Sequence, residues 1–104
     1  MLKLIFEFRK GIFFIRLIGN LNKDSYQTIE SEVKGLIEDN HFKYIVFNIN
    51  YLETIDLTGL SYITKIYYLT KENKSNLILC DKTNKLKVLL NNSVPNICDE
   101  LEVL

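Results

Sequence analysis

The chain opens with two apolar runs in which the burial pattern of a strand can be read directly. In residues 2–9, apolar side chains recur at every second position, which is the period-two pattern of a strand with one better-buried face. Residues 12–18 form the second apolar run, and only Lys10-Gly11 separates the two. Because so short a link favours a tight turn, the runs predict a β-hairpin. Residues 19–22 break the pattern and predict a loop.

Helical spacing follows this loop. Asp24 and Gln27 have the spacing of a capping box, so we expect the first helix to begin at Asp24 and to end near Asn40. The positions that face the core at this spacing are Ile29, Val33, Leu36 and Ile37.

The middle of the chain repeats the order of strand and helix. Residues 44–49 are β-branched and aromatic and predict a central strand, whereas residues 50–55 predict a loop. Asp56 is a suitable N-cap for a second helix that runs to about Glu72, and residues 77–80 predict another buried strand. The expected core-facing positions of this second helix are Leu60, Ile63, Ile66 and Tyr67.

The end of the chain predicts further helices. Asp81 or Thr83 could cap a third helix through Leu90, and residues 96–104 predict one more short helix after Pro95. The complete order predicts an α/β fold with one domain over residues 1–104. Its mixed sheet of four to five strands begins with the hairpin and is covered by three to four helices.

Composition and charge narrow the classes of function. The 13 basic residues balance the 13 acidic residues, so the chain lacks the basic excess of nucleic-acid-binding proteins. No apolar run has the length of a membrane span, and no signal-peptide pattern occurs at the start. The two cysteines, Cys80 and Cys98, lack the spacing of a disulfide framework or a metal site. We therefore expect a free-standing cytoplasmic protein that has no nucleic-acid partner.

The residues form no catalytic or metal-binding motif. His41 is the only histidine, and it follows the predicted end of the first helix, where it suits the helix dipole. Neither a Walker A motif nor a GxGxxG motif occurs. The sequence therefore predicts a protein that is not an enzyme and holds no metal or cofactor.

One loop-to-helix junction, at residues 54–60, carries a carboxylate, a hydroxyl and a glycine together. A glycine in the first turn of a helix is costly by propensity, so Gly59 needs a reason. One interpretation is that Asp56 is a simple N-cap and that Gly59 allows close packing. The other is that a partner or an anion approaches the helix start, where free N–H groups and the dipole favour negative charge.

At this point the chain resembles the STAS domain family, which includes the bacterial anti-sigma factor antagonists. Residues 55–60 are similar to the family's Asp-Ser-Ser/Thr-Gly-Leu signature, and Gly19 and Leu21 are similar to its Gly-x-Leu-Asp turn. The predicted strands at residues 44–48 and 76–80 agree with those of the family in order and spacing. The resemblance spans nearly the whole chain and implies a STAS-like sandwich of sheet and helices.

The resemblance also implies a function in partner switching. The family's antagonists bind an anti-sigma factor of the serine kinase type when unphosphorylated, and phosphorylation of a serine at the helix start breaks that complex. The phosphate adds a charge of about −1.5 to −2, which a packed interface does not tolerate. The STAS domain is the substrate in this cycle and not the enzyme.

This sequence departs from the family pattern at the site that is phosphorylated in the family's antagonists. Leu57 stands at the position of the usual phospho-acceptor, and Thr58 stands at the second hydroxyl position. Asn22 and Asn48 stand where the family has aspartates. We therefore expect switching to be absent or shifted to Thr58.

Three functions stay open. The first is an antagonist-like module that binds a kinase-type anti-sigma factor. The second is a STAS subunit that docks a non-kinase partner, such as a lipid-transport ATPase complex or a sensory assembly. The third, binding of a small ligand or nucleotide, has no supporting residues. The first two would use one face, formed by Asn22, Lys23, Asp56, Leu57, Thr58, Gly59, Ser61, Tyr62 and Lys65.

Two orientations on this face stay open as well. Leu57 is either an exposed anchor for a partner or a residue that turns inward and covers the core. Among the tyrosines of the second helix, Tyr67 is expected in the core, and Tyr62 or Tyr68 is the candidate for an exposed contact.

Overall fold

The structure is a computed structural model and describes residues 1–82, 96–97 and 99–100. The elements in this part are β1 (Leu2–Arg9), β2 (Ile12–Leu21), α1 (Tyr26–Asp39), β3 (Tyr44–Asn48), β4 (Leu52–Ile55), α2 (Leu57–Glu72), β5 (Asn76–Cys80) and β6 (Asn96–Ile97).

The predicted hairpin is confirmed. β1 and β2 pair antiparallel, with Arg9 opposite Ile12 across the Lys10-Gly11 turn. Both turn residues have positive φ, 52° at Lys10 and 80° at Gly11, as the right-handed twist of a two-residue hairpin requires.

The strands form one mixed sheet, as expected from the order of elements. The path is β1-β2-β3-β5-β6, and every pair along it after the hairpin is parallel. The predicted strands at residues 44–49 and 77–80 correspond to β3 and β5, which lie side by side. The α/β fold class is therefore confirmed.

The loops predicted at residues 19–22 and 50–55 are wrong in part. β2 continues through Leu21, and β4 occupies most of the second predicted loop, because Gly19–Leu21 pairs parallel with Leu52–Ile55. Each segment is short and finds its hydrogen-bonding partner more than thirty positions away in the chain. Local periodicity cannot show such a pairing.

The first helix begins later than predicted. α1 starts at Tyr26 with Ser25 at the N-cap, so the capping role expected for Asp24 is wrong. The Asn22 side chain explains the difference, because its Oδ1 accepts from the backbone N–H groups of Asp24 (2.9 Å) and Ser25 (3.1 Å) and shapes the entry to the helix. The predicted end near Asn40 is confirmed.

Both helices contribute to a core that includes one face of the sheet. The fully buried residues of α1 are Ile29, Val33 and Ile37, which match the predicted stripe except for the half-buried Leu36. A smaller apolar cluster on alternate strand positions contains Phe14 and Val46. Adjacent residues of β2 such as Phe14 and Ile15 are both fully buried, so this strand is enclosed on both faces.

The predicted elements at the end of the chain have mixed outcomes. The third helix, at residues 81–90, lies almost entirely outside the described residues. The short helix predicted from residue 96 is wrong at its start, since Asn96–Ile97 forms β6 beside β5. Its first two residues gain backbone hydrogen bonds from the sheet, and the Asp81 N–H donates to the Ile97 carbonyl at 2.9 Å.

A network of charged side chains joins the hairpin to the end of the chain. The Arg16 guanidinium donates to Glu100 through Nε (2.9 Å) and Nη2 (2.8 Å), and also to Glu7 through Nη2 (2.9 Å). Asn48 Nδ2 donates to the same buried Glu100 carboxylate. The hydrogen bonds from Arg16 lower the pKa of Glu100 below its usual range, and Asn48 adds to this effect.

The lowered pKa predicts a specific loss of stability in acid. The folded state holds the Glu100 proton less readily than the unfolded chain, so this stabilisation is present above the ordinary pKa of 4.5 and is lost as pH falls through the folded pKa. Glu100→Gln is expected to lower the urea midpoint at neutral pH and to flatten its fall in acid. Glu53→Gln, at an exposed position on β4, is the control. An unchanged acid dependence in Glu100→Gln would contradict the assignment.

Candidate functional site

The start of α2 is held by the carboxylate of Asp56. Its Oδ1 accepts from the Gly59 N–H at 2.8 Å, which confirms the predicted N-cap. Its Oδ2 accepts from the Lys23 N–H at 3.1 Å, and the Asp56 N–H donates to the Leu21 carbonyl at 3.2 Å. One residue therefore caps the helix and fixes it to the segment between β2 and α1.

Gly59 is required by packing. A Cβ at this position would lie 2.5 Å from the Leu21 carbonyl oxygen and 2.8 Å from Leu21 Cγ, which is closer than real Cβ contacts. Gly59 is buried in the first turn of α2, against the end of β2. Of the two interpretations of this glycine, the structure supports close packing within the chain. It lies behind the surface and not on it.

Asn22 shapes the neighbouring loop through its own hydrogen bonds. Its side chain accepts from the backbone N–H groups of Asp24 and Ser25. Its own backbone N–H donates to Ser25 Oγ at 3.0 Å. The Ser25 hydroxyl in turn donates to the Asn20 carbonyl at 2.6 Å. The half-buried Asn22 therefore positions the exposed Lys23 beside the start of α2.

Six of the predicted site residues are exposed. Apart from the capping residue Asp56, they form the surface that we call the α2 face: Lys23, Leu57, Thr58, Ser61 and Lys65. Leu57 is 80% exposed, so the alternative in which it turns inward is wrong. Positions 57, 61 and 65 follow each other at one-turn spacing along the helix. Gly59 and Ile63 occupy the opposite, buried side, which directs Leu57 outward.

Tyr62 does not belong to the α2 face. It is 4% exposed, and its ring lies 5.8 Å from that of Tyr26 on α1. Burial raises the pKa of its hydroxyl above the usual range. Among the tyrosines of α2, Tyr68 is the exposed one, and Tyr67, expected in the core, is half-buried.

The spacing of α2 contained a signal for the burial of Tyr62. Of the expected stripe, Ile63 and Ile66 are buried, whereas Leu60 and Tyr67 are only half-buried, so the buried side of α2 is rotated away from these two residues. A stripe that includes Gly59 would have placed Tyr62 inside, since three and four residues separate neighbours on one helix face. The buried residues of α2 are Gly59, Tyr62, Ile63, Ile66 and Thr70.

A groove continues from the α2 face between the two helices. It has a volume of about 250 Å³, and Lys65, Tyr68 and Leu69 of α2 face Glu30 and Lys34 of α1 across it. Its walls carry both charges and one exposed aromatic ring. These features are typical of the polar margin of a protein interface.

Within residues 1–82, 96–97 and 99–100, no three or more His, Cys, Asp or Glu side chains are grouped so that they could hold a metal ion. In the same part of the chain, neither helix combines the length and apolar character that crossing a bilayer requires.

Comparison with known proteins agrees with this geometry. The family model of the STAS domain matches residues 3–94. This chain therefore belongs to the STAS domain family.

Relatives within the family include anti-sigma factor antagonists. The anti-sigma F factor antagonist of Paenibacillus polymyxa is 24% identical over 92 residues, which cover 88% of this chain and 79% of the relative. The structure of the anti-sigma factor antagonist SpoIIAA in its unphosphorylated form has a TM-score of 0.81 at 16% identity and covers 99% of this chain and 93% of that chain. The structure of an anti-sigma factor antagonist from Mycobacterium paratuberculosis has a TM-score of 0.80 at 16% identity. It covers 98% of this chain and 90% of that chain. The chain therefore has the fold of an anti-sigma factor antagonist.

Asp56 at the start of α2 and Asp24 before the start of α1 give a matched test of helix capping. Asp56→Ala is expected to lower the free energy of unfolding by about 1–2 kcal/mol, because the Gly59 and Lys23 N–H groups lose their acceptor. Asp24→Ala, which removes a carboxylate that caps no helix, should change it by less than about 0.5 kcal/mol. Urea denaturation measures both. Equal effects would contradict the capping role of Asp56.

The glycines of the two helices give a second matched pair. Gly59→Ala is expected to destabilise the protein by about 1–3 kcal/mol, because the new methyl group meets the backbone of Leu21. Gly35→Ala, at an exposed position of α1, should stabilise it by up to about 1 kcal/mol through helix propensity. Thermal unfolding resolves the opposite signs. A stabilising Gly59→Ala would show that α2 does not pack on β2 as described.

Proposed function

We propose that this protein is a regulatory binding module that docks a kinase-type anti-sigma factor through the α2 face. The observation that carries the proposal is the 80% exposure of Leu57 at the helix start. An exposed leucine that shares the α2 face with Thr58, Ser61 and two lysines offers an apolar anchor beside polar side chains. The relatives named as anti-sigma factor antagonists supply the class of partner. The module acts by binding and not by catalysis, and its partner places its action in the cytoplasm.

The rigidity of the helix start supports docking at this point. The Asp56 N–H donates to the Leu21 carbonyl at the end of β2, and the Asp56 carboxylate accepts from Lys23 and Gly59. Gly59 packs so closely on Leu21 that no Cβ would fit between them. Leu57 and Thr58 lie between these two anchors in the chain, so their backbone is ordered before a partner arrives. Preorganisation of this kind lowers the entropic cost of binding.

The proposed switch differs from the family pattern. Leu57 has no hydroxyl to accept a phosphate, whereas the exposed Thr58 follows it directly. A phosphate on Thr58 would sit in the first turn of α2, where the helix dipole favours negative charge, and close in sequence to the anchor Leu57. The fold would tolerate it, and a packed partner would not. We therefore propose that switching is either absent or carried by Thr58.

The leucine itself favours a second candidate function. A module that docks permanently has no need of a phosphate acceptor, and a leucine at this position gives more apolar contact than a serine. The partner would then be a component of a lipid-transport ATPase complex or of a sensory assembly. The same α2 face would make the contact.

Partner capture from the native cell, followed by titration, tests the docking face. Thr58→Glu is expected to weaken binding by about ten-fold or more, because it places an unpaired carboxylate within the interface. Ser31→Glu adds the same charge on an exposed position of α1 and should leave the affinity unchanged. If Thr58→Glu bound as tightly as Ser31→Glu, the α2 face would not be the docking surface. A small kinase-fold anti-sigma factor among the captured proteins supports the first candidate, and transporter or sensory subunits support the second.

A phosphate acceptor can be restored to test the kinase. Leu57→Ser is expected to incorporate phosphate from a cognate anti-sigma kinase and ATP at the introduced hydroxyl, as read by mass spectrometry. Leu57→Ala is the control and should gain no acceptor over the unmodified chain. Phosphate on Thr58 in the unmodified chain would show a shifted switch. If Leu57→Ser took up no phosphate from the captured partner, the partner would not be a kinase of this type.

A further inference from the structure

The first strand of the sheet has an outer edge that pairs with no other strand within residues 1–82, 96–97 and 99–100. Among the described residues, the sheet path ends at β1, whose pairing there is with β2 on one side. Two aromatic side chains on this strand are exposed, Phe6 to 39% and Phe8 to 60%. An edge strand of eight residues with exposed aromatic rings is a template for another strand.

The hydrogen-bonding direction of each residue on this edge follows from the hairpin. In an antiparallel pair, residues alternate between those that bond to the neighbouring strand and those whose N–H and C=O groups point away. The Asn20 N–H donates to the Met1 carbonyl at 3.0 Å, and Arg9 flanks the two-residue turn opposite Ile12. The odd-numbered residues of β1 therefore bond to β2. The outward backbone groups belong to Leu2, Leu4, Phe6 and Phe8.

This alternation restricts how a second copy of β1 could pair with the first. An antiparallel pair related by a two-fold axis must bring outward-bonding residues opposite one another. Two registers use most of the strand, one with the axis at Ile5 and one with the axis at Phe6. They differ in which side chains meet across the axis.

Charge complementarity selects between the two registers. With the axis at Ile5, Lys3 of each copy lies opposite Glu7 of the second copy, which creates two ion pairs. With the axis at Phe6, Lys3 lies opposite Arg9 of the second copy, and like charges meet. Opposite charges directly across strands stabilise a pair and like charges destabilise it.

Several contacts hold the edge in the required arrangement. The Glu7 carboxylate is held by the Arg16 guanidinium at 2.9 Å and by the Arg9 guanidinium on its own strand, and the Glu7 side chain remains 33% exposed. The ring of Phe13 stacks on Phe6 (5.7 Å) and on Phe42 (4.6 Å). The aromatic rings of β1 are thus braced before any partner strand arrives.

We propose that this protein forms a homodimer by antiparallel pairing of β1 with β1 of a second copy, with the two-fold axis at Ile5. The pairing continues the sheet across both subunits. It places Leu4 opposite Phe6 and Leu2 opposite Phe8 of the second copy, which covers the exposed aromatic rings. The interface is separate from the α2 face, so its failure leaves the proposed function untouched.

Disulfide cross-linking tests the register. Ile5→Cys, in a chain whose Cys98 is replaced by Ser, is expected to form a disulfide-linked dimer under mild oxidation. Directly opposed residues on antiparallel strands lie roughly 4.5–5.5 Å apart, which a disulfide spans. Cys80 is buried and does not compete. Phe6→Cys is the matched control, because in this register the two introduced thiols are offset along the strands. Cross-linking of Phe6→Cys in place of Ile5→Cys would overturn the register.

Sedimentation measures the association itself. The unmodified chain is expected to show a concentration-dependent equilibrium between monomer and dimer. Lys3→Glu should weaken it about ten-fold, since both ion pairs become repulsive contacts. Lys34→Glu makes the same charge change on exposed α1 and should leave the dimer unchanged. A chain that stays monomeric at about 1 mM, or a Lys3→Glu variant that dimerises normally, would overturn the proposal.

Discussion

The candidate site depends on the close approach between the first turn of α2 and the end of β2. Gly59 permits this approach, since a methyl group there would collide with the Leu21 carbonyl oxygen at 2.5 Å. Asp56 reinforces it from both sides, by accepting from Gly59 and from Lys23. The position of Leu57 at the surface is a consequence of this contact. Because the residues that pack inward leave no room for it on the buried side, its side chain extends into solvent.

The same contact connects the stability of the fold to its proposed function. The residues that hold the helix start are buried or engaged in hydrogen bonds, and the residues offered to a partner are held between them. A modification at Thr58 can therefore add charge to the surface without removing a contact that stabilises the chain. A substitution at Gly59 or Asp56 acts differently, because it changes the platform on which the binding surface is built. Binding and stability can thus be altered independently at neighbouring positions.

The far face of the sheet combines a small apolar cluster with a charged network. Arg16 lies in a strand that is otherwise almost wholly apolar, and Glu100 is nearly buried beside it. Each would be costly alone, and together they satisfy one another with bidentate geometry. The Arg16 guanidinium also donates to Glu7 on β1. The network that holds Glu100 therefore positions the Glu7 carboxylate at the edge of the sheet. The proposed dimer uses that charge at the surface.

The sequence by itself determined the elements whose signals are local. The Lys10-Gly11 turn predicts the hairpin, the one-turn spacing of Ile29, Val33 and Ile37 predicts α1, and Asp56 predicts the start of α2, because each depends on residues within a turn or two. The family motif likewise located the candidate site.

Only the tertiary structure decided the remainder. β4 and the extension of β2 exist because two distant segments complete each other's hydrogen bonds. At the entry to α1 two local signals compete, and the structure shows that the hydrogen bonds of Asn22 to residues two and three positions later prevail over the capping-box spacing of Asp24. The rotation of α2 about its axis, which buries Tyr62 and exposes Leu57, was set by how closely Gly59 approaches Leu21, a distance that no spacing of residues along the chain expresses.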